Sequence, residues 1–385
     1  MKRFGMVYFK NFKYEDFVWG LLLNDRDTEI IDTEVPAESL EEQDELFMER
    51  ALEEKGIDVA VSFDFCPVLS DACMKRGIIY ISWMFDTPIQ MLYEKQVFND
   101  CNYIFCFDKK QISELRSRGV DRVYYMPLFS NVKRNAGLAP TKADEERFSC
   151  DVSFIGSLYQ NDSYNQAIGI VSEKARKELE QVTNDVFGKW DGVDRLNGRL
   201  SKEVLEELVG IYGNKTRMDS DTFLSAAVIA RKIARDERIE MLKRLSKYNL
   251  NFFTGEKDVD IPGVVPKPHL SYIEELPKAY FFSKINMNVT LPSITSGVPL
   301  RVFDIMGVGG FALTNYQPEV DELFKVGVNI EAYHDFDEMD EKVAYYLSHE
   351  RARTQIAMNG YELICKEYSV ERQVERILKT VGQGI

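Results

Sequence analysis

The alternation of short apolar segments with helical segments along residues 1–131 is the feature that most constrains the fold. Runs rich in β-branched and aromatic residues, separated by segments of helical spacing, are typical of βαβ units on a parallel sheet. The first half is therefore predicted to be a Rossmann-like domain. Its predicted strands are GMVYF (5–9), TEIID (28–32), DVAVSFD (58–64), IIYISW (78–83), YIFCF (103–107) and VYYMPL (123–128).

A second α/β pattern follows at residues 151–366, after a polar stretch at 132–150 that has the Pro, Gly and charge content of an interdomain linker. About 90 residues separate its first two strands, more than a βαβ crossover needs. Their apolar spacing predicts a helical insertion at about 160–248. The strands predicted here are DVSFIGS (151–157), LNFFTG (250–255), KINMNVT (284–290), GGFALTN (309–315) and GVNIEAY (327–333).

The length and the charge of the chain limit the classes of protein to which it can belong. The 385 residues suffice for two domains, and 45% hydrophobic and 29% charged residues are typical of globular proteins. The net charge of −15 disfavours nucleic acid and anionic lipid as main partners. The six cysteines form no C-x-x-C pair and nowhere do 18 apolar residues run together. We therefore expect a cytoplasmic protein without a transmembrane segment.

The residues that directly follow the strands of the second half are the first candidates for ligand binding. Ligands of open α/β sheets bind beyond the carboxyl ends of the strands, and two such domains in tandem are expected to face a cleft. Gly156 and Ser157 stand at the end of the first of these strands, and Asn288 and Thr290 at the end of the third. These four residues are predicted to line a ligand site.

The strongest local signal is the segment LPSITSGVPLRVFDIMGVGG, in which a Ser/Thr/Gly loop containing Ser296 and Gly297 leads into a helix predicted to begin near Arg301. A helix start favours phosphate, and an arginine adds a charged clamp. Asp304, one turn later, is placed to accept hydrogen bonds from a ribose diol. The alternative is that Arg301 and Asp304 pair with each other across that turn.

The run INMNVT...GVPLRVFDIMGVGGFALTNYQPEVDELFKVG...YYLSHERARTQIAMNGYELICKEYSVERQVERIL resembles the carboxyl half of the CgeB-type glycosyltransferases, and VSFDFCP and ISWMFDTPIQM resemble the domain in front of it. The resemblance spans nearly the whole chain apart from the insertion. It implies the α/β GT-B fold, with two Rossmann-like doubly wound domains facing a cleft. The second domain would bind a nucleotide-diphosphate sugar, and a last helix, at 367–385, would return to the first domain.

The resemblance also implies roles for single residues. It places Asp304 at the ribose and Arg301 near the diphosphate of the donor. Gly156 and Ser157 match the turn that lets the backbone approach the donor. Tyr272, in HLSYIEELP, stands where base contacts usually lie, although a Tyr in an apolar stretch also serves packing. Retaining enzymes of this fold carry a Glu eight positions before the ribose-binding acidic residue, but Ser296 stands there in this chain, so the stereochemical course stays open.

A catalytic base is expected from the first domain. Asp86 follows a predicted strand in WMFDTP, and the resemblance makes W-x-x-D-x-P characteristic of this domain. A carboxylate there would deprotonate an acceptor hydroxyl. The alternative is an Asx turn or an N-cap before a helix starting at Pro88. Asp64, after the preceding strand, is the second candidate for the base.

No metal or cofactor is expected. Asp-x-Asp pairs occur at 25–27, 219–221, 258–260 and 335–337, but such pairs are common in an acidic chain and only the pair at 258–260 lies near a predicted strand end. The three histidines are too scattered for a zinc site. The chain has neither a P-loop motif nor a G-x-G-x-x-G after its first strand.

Together these features predict a metal-independent hexosyltransferase of the GT-B type that uses a nucleotide-diphosphate sugar, UDP-linked rather than GDP- or dTDP-linked. Its acceptor is a glycan, a protein or a small molecule, and a homo-oligomer is compatible with the sequence. One alternative is a nucleotide-sugar epimerase or hydrolase on the same fold. Another is a non-catalytic sugar-binding or scaffold protein whose insertion is the working surface.

Overall fold

The computed structural model describes residues 2–9, 16–160, 163–213 and 217–382. The chain divides into two compact units, each with its own sheet and core. Unit 1 contains the chain up to Phe129 and from Glu367 onward, and unit 2 extends from Ser130 to Lys366 except for residues 217–218, which group with unit 1. Within the described residues, no helix is both long and apolar enough to span a membrane.

The sheet of unit 1 is parallel throughout, with the strand order β2-β1-β3-β4-β5-β6. All five residues of β3 are buried because helices cover both faces of such a sheet. Each of the six predicted strands is confirmed to within a few residues. They are β1 (Phe4–Tyr8), β2 (Thr28–Asp32), β3 (Val59–Phe63), β4 (Ile79–Trp83), β5 (Asn102–Cys106) and β6 (Val123–Tyr125).

The sheet of unit 2 is also parallel, with the order β12-β11-β10-β7-β8-β9. The five predicted strands are confirmed. The edge strand β9 was not predicted, because two residues carry no periodic signal. The strands are β7 (Cys150–Ile155), β8 (Leu250–Phe253), β9 (Pro266–Lys267), β10 (Ser283–Asn288), β11 (Ala312–Asn315) and β12 (Glu331–Tyr333).

Helices surround both sheets, and short 3-10 helices lie at Ala37–Ser39, Glu42–Asp44, Gln90–Tyr93 and Lys95–Phe98. A π-helical turn, Ser225–Ala230, precedes the longest helix of the insertion. The α-helices are α1 (Asp16–Leu23), α2 (Glu45–Glu54), α3 (Pro67–Arg76), α4 (Lys109–Ser117), α5 (Val132–Ala136), α6 (Lys142–Phe148), α7 (Ser163–Ile168), α8 (Glu173–Val186), α9 (Lys202–Tyr212), α10 (Ser220–Leu224), α11 (Arg231–Leu245), α12 (Leu276–Phe282), α13 (Leu300–Met306), α14 (Val320–Leu323), α15 (Phe336–Ser348), α16 (Glu350–Glu367) and α17 (Val370–Gly382).

The helical insertion predicted between β7 and β8 is present as α7 to α11, and it has its own apolar core. On α8, for example, Leu179, Val182 and Val186 are buried at helical spacing. The stretch 132–150, in which we expected a linker, contains α5 and α6 and groups with unit 2.

The last helix, α17, belongs to unit 1. It packs on α1 at Gly20, where an added Cβ would lie 2.5 Å from Cγ2 of Val374. The side chain of Gln373 donates to the carbonyl of Pro127 at 2.8 Å. The buried, mostly apolar face of α17 therefore packs against α1 and the segment after β6, and so covers part of unit 1.

Candidate functional site

Four of the predicted donor residues meet at the carboxyl edge of the unit 2 sheet. Strands β7 and β10 are paired in parallel near the centre of this sheet, so the segments that follow them lie side by side. Gly156 and Ser157 continue from β7, while Asn288 ends β10 and Thr290 follows two residues later. The pairing brings together residues that are more than 130 positions apart in the sequence.

Arg301 lies over this edge, one residue after the start of α13. Its Nη1 donates to Oδ1 of Asn288 at 3.2 Å, and its guanidinium carbon lies 5.6 Å from the centre of the Phe154 ring. A Cβ at Gly156 would lie 3.0 Å from Nη2 of Arg301. Arg301 therefore brings a positive charge to this edge. Gly156 leaves the space that the guanidinium occupies.

Arg238 is a second buried arginine at this edge, and sequence analysis missed it. The residue is 3% exposed, and it donates to the carbonyl of Ser157 at 2.6 Å and to that of Val289 at 2.8 Å. Its guanidinium carbon also lies 5.6 Å from the centre of the Phe154 ring. Burial lowers the pKa of Arg238, and the nearby charge of Arg301 lowers it further. An arginine stays charged in a protein regardless, so the site holds two cations.

A signal for Arg238 was present in the sequence. Residues at helical spacing from it, Ala234, Met241 and Leu242, are apolar, which places an arginine on the buried face of α11. A charged residue at such a position is almost never fully buried unless it is paired or hydrogen-bonded. We interpreted α11 only as part of the insertion, so its contact with the strand ends was not predicted.

Asp304 and Tyr272 form a second polar element of the site. Asp304 is 7% exposed and accepts a hydrogen bond from the Tyr272 hydroxyl at 3.2 Å. The guanidinium carbon of Arg134 lies 5.2 Å from the centre of the Tyr272 ring. The side chain of Arg301 donates to Asn288 at the end of β10, whereas the carboxylate of Asp304 accepts from Tyr272. The two charged residues of α13 therefore contact different parts of unit 2. A carboxylate held in this way can accept hydrogen bonds from a diol.

The Ser/Thr/Gly loop before α13 is tied to the segment after β11. The hydroxyl of Ser296 donates to Oε1 of Glu319 at 2.7 Å, and the backbone N–H of Glu319 donates to the carbonyl of Ser296 at 3.1 Å. The backbone N–H of Thr290 donates to Oδ1 of Asn315 at 2.7 Å. Gly297 is buried beside Ser296. Sequence analysis missed Glu319, which is 1% exposed and orders the loop.

Asn288 and Ser157 also have fixed partners. The amide nitrogen of Asn288 donates to the hydroxyls of Thr290 at 3.0 Å and Thr314 at 2.9 Å. The hydroxyl of Ser157 contacts the carboxylate of Glu256, which follows β8. The polar edge is therefore held in shape by the protein itself, which lowers the cost of ordering it when a ligand binds.

In unit 1, Asp64 and Asp86 lie at the carboxyl ends of the neighbouring strands β3 and β4. Asp64 is buried with φ of 55°, and its Oδ1 accepts the backbone N–H groups of Phe85 at 2.8 Å and Asp86 at 3.4 Å. Burial raises the pKa of Asp64 to about 8, and the charge of Asp86 adds to this rise. Asp86 is exposed, and desolvation also raises its pKa.

The alternative assignment of Asp86 as the N-cap of a helix starting at Pro88 is wrong. The helix that follows begins at Gln90, is of the 3-10 type, and has Ile89 as its capping residue. The carboxylate of Asp86 is therefore exposed at the sheet edge rather than used to cap a helix.

Within the described residues, no group of three or more His, Cys, Asp or Glu side chains is arranged to hold a metal ion. Metal independence stays a prediction.

Residues 235–379 match the model of the glycosyl transferase-like family. No curated protein sequence matches the chain. Among solved structures, HepE from Anabaena in complex with UDP and glucose has a TM-score of 0.53 at 8% identity, over 100% of both chains. Sucrose-phosphate synthase from Thermosynechococcus elongatus has a TM-score of 0.53 at 10% identity, over 100% of this chain and 99% of the other. A glycosyltransferase from Rickettsia africae has a TM-score of 0.53 at 8% identity, over 98% and 97%.

These similarities establish the fold, which is the GT-B fold predicted from the sequence. The family match covers well under half of the chain, but it includes Arg238, Ser296, Arg301 and Asp304. The narrower CgeB-type assignment stays a prediction.

Proposed function

We propose that this protein is a cytoplasmic, metal-independent glycosyltransferase that transfers a hexosyl group from a UDP-linked sugar to an acceptor hydroxyl. The observation that carries the proposal is the pair of arginines at the carboxyl edge of β7 and β10, where Arg301 lies beside Gly156 and Arg238 donates to the carbonyl that follows it. The match of residues 235–379 to the glycosyl transferase-like family supports it. HepE, a protein of the same fold, was crystallised with UDP and glucose, which favours UDP as the nucleotide.

The donor diphosphate binds at the two arginines in this proposal. Arg301 contacts the phosphate oxygens, and Arg238 holds the carbonyls of Ser157 and Val289 in place while adding its charge. Transfer breaks the bond between the anomeric carbon and the phosphate oxygen, and the electron pair leaves with UDP. Fixed cations stabilise that developing charge without reorganisation, which is why no metal is required. Asp304 accepts hydrogen bonds from the ribose.

Asp86 is the proposed base. Its carboxylate takes the proton of the acceptor hydroxyl as that oxygen bonds to the anomeric carbon. Asp86 suits this role better than Asp64 because it is exposed, whereas burial keeps Asp64 protonated up to about pH 8. Replacing Asp86 by Asn is expected to lower the turnover of the donor and leave UDP affinity unchanged.

Calorimetric titration with UDP, GDP and dTDP in the presence of EDTA tests the donor site. The wild-type protein is expected to bind UDP in preference to the other two nucleotides. Arg301→Ala should weaken UDP binding at least about tenfold, the usual cost of losing a charge-assisted hydrogen bond to phosphate.

The matched control is Arg351→Ala, which removes an exposed arginine from α16. It should leave UDP binding unchanged. A wild-type protein that binds none of the three nucleotides, or an Arg301→Ala variant that binds UDP normally, would contradict the proposal.

A further inference from the structure

A small cavity lies where the insertion meets the proposed donor loop. Its walls are residues 190–195 of the insertion, residues 292–295 of the loop after β10, and residues 316–317 after β11. The volume within it that the centre of a water molecule can occupy is about 10 Å³. That volume accommodates a single water molecule or a single hydroxyl group.

Two of the side chains that line this cavity carry buried donors without a partner. Trp190 is 1% exposed, and its Nε1 makes no hydrogen bond. The Nε of Arg195 is also buried and makes none. A buried donor left unsatisfied costs about 1–3 kcal/mol, so a cavity with two of them favours an oxygen that can accept.

The charge of Arg195 is already balanced. Its guanidinium pairs with the carboxylate of Glu237, which is fully buried, and donates to the carbonyl of Val186 at 2.7 Å. The cavity therefore favours a neutral acceptor, such as a sugar hydroxyl, over a phosphate. Glu237 directly precedes Arg238 in α11, so the same helix turn serves the cavity and the diphosphate site.

The position of Trp190 is set by the core of unit 2. Its ring packs edge-to-face against Tyr333, with centroids 5.1 Å apart, and Phe336, with centroids 5.2 Å apart. Its backbone N–H donates to the carbonyl of His334 at 2.8 Å. The indole is thus held in one orientation before any ligand arrives, as a selective subsite requires.

We infer that residues 190–195 of the insertion form a subsite for one hydroxyl of the donor sugar, so that the insertion sets which sugar the enzyme accepts. The inference rests on the proposed function, because it takes the loop at 292–295 to be next to the sugar. A site built to hydrogen-bond a hydroxyl rejects an analogue that lacks it or presents it differently.

The test compares UDP with UDP-glucose, UDP-galactose and UDP-N-acetylglucosamine as titrants. Trp190→Phe removes the indole N–H and keeps an aromatic ring. It should leave UDP affinity unchanged, weaken the preferred UDP-sugar about five- to twentyfold, and reduce the preference among the three sugars.

The matched control is Trp83→Phe. Trp83 is also fully buried, but it lies in β4 of unit 1, and its replacement should leave sugar preference intact. Should Trp190→Phe fail to fold, Val193→Trp provides a second test, because Val193 is 60% exposed at the cavity. Its control is Ile170→Trp, at another exposed aliphatic residue of the insertion.

The outcomes separate the two proposals. Loss of sugar affinity with UDP affinity retained supports the subsite. Equal loss for UDP and every UDP-sugar, or no change in any of them, overturns it and leaves the cavity to a structural water. If the wild-type protein binds neither UDP nor any UDP-sugar, the proposed function itself fails and the subsite with it.

Discussion

Replacing Asp64 by Asn should remove a large part of the pH dependence of stability in unit 1. Burial and the nearby Asp86 raise the pKa of Asp64 from its ordinary 3.8 to about 8. Between these values the unfolded chain releases a proton that the folded chain keeps, so the free energy of unfolding falls as pH rises. One pKa unit corresponds to about 1.4 kcal/mol, so the full fall is at most about 6 kcal/mol.

The substitution retains the structure around the residue. Asn supplies the side-chain oxygen that accepts the backbone N–H of Phe85 at 2.8 Å, and it carries no charge at any pH. Below about pH 4, where the carboxyl is neutral in both the folded and the unfolded state, the two proteins should have similar stability. Above about pH 8 the Asn variant should be the more stable by several kcal/mol.

Urea unfolding at about pH 5, 7 and 9, followed by the fluorescence of Trp83 and the other tryptophans, measures the effect. The urea midpoint of the wild-type protein should fall between the first and last pH, and that of Asp64→Asn should fall much less. Asp86→Asn is the comparison: it removes the charge that adds to the rise in the Asp64 pKa and leaves the larger contribution of burial in place, so the fall with pH should persist. Parallel pH profiles for the wild-type protein and Asp64→Asn would refute the assignment of Asp64 as a buried, protonated carboxyl.

Three further substitutions test packing and the donor site. Gly156→Ala should weaken UDP binding about tenfold without unfolding the protein, because its Cβ would displace the Arg301 guanidinium; calorimetry measures this. Tyr272→Phe should cost about 1 kcal/mol of UDP affinity by the same assay through loss of one hydrogen bond to the carboxylate on α13, and unchanged affinity would contradict the role. Gly20→Ala should lower thermal stability by about 1–3 kcal/mol, because its Cβ would clash with Val374 on α17.

Several elements of the site could not be predicted from the sequence because they depend on which strands are neighbours. Arg238 reaches the site only because α11 brings it against the ends of β7 and β10. The partner of Ser296 is Glu319, which follows a different strand. Neither pairing can be recognised from residues close together in the sequence. Which side chains meet at the edge of a sheet depends on the order of its strands and not on their spacing along the chain.

The sequence by itself determined the two parallel sheets and the region of α13 with Arg301 and Asp304. A strand that is buried on both faces must be short and apolar, and these are local properties that can be recognised in each segment separately. The tertiary structure alone decided that β10 lies beside β7, that Arg238 joins Arg301 at their ends, and that Asp64 is buried while Asp86 is exposed. The desolvation of a charged side chain and the choice of its hydrogen-bond partner depend on the atoms around it in space, and these atoms belong to residues far away in the chain.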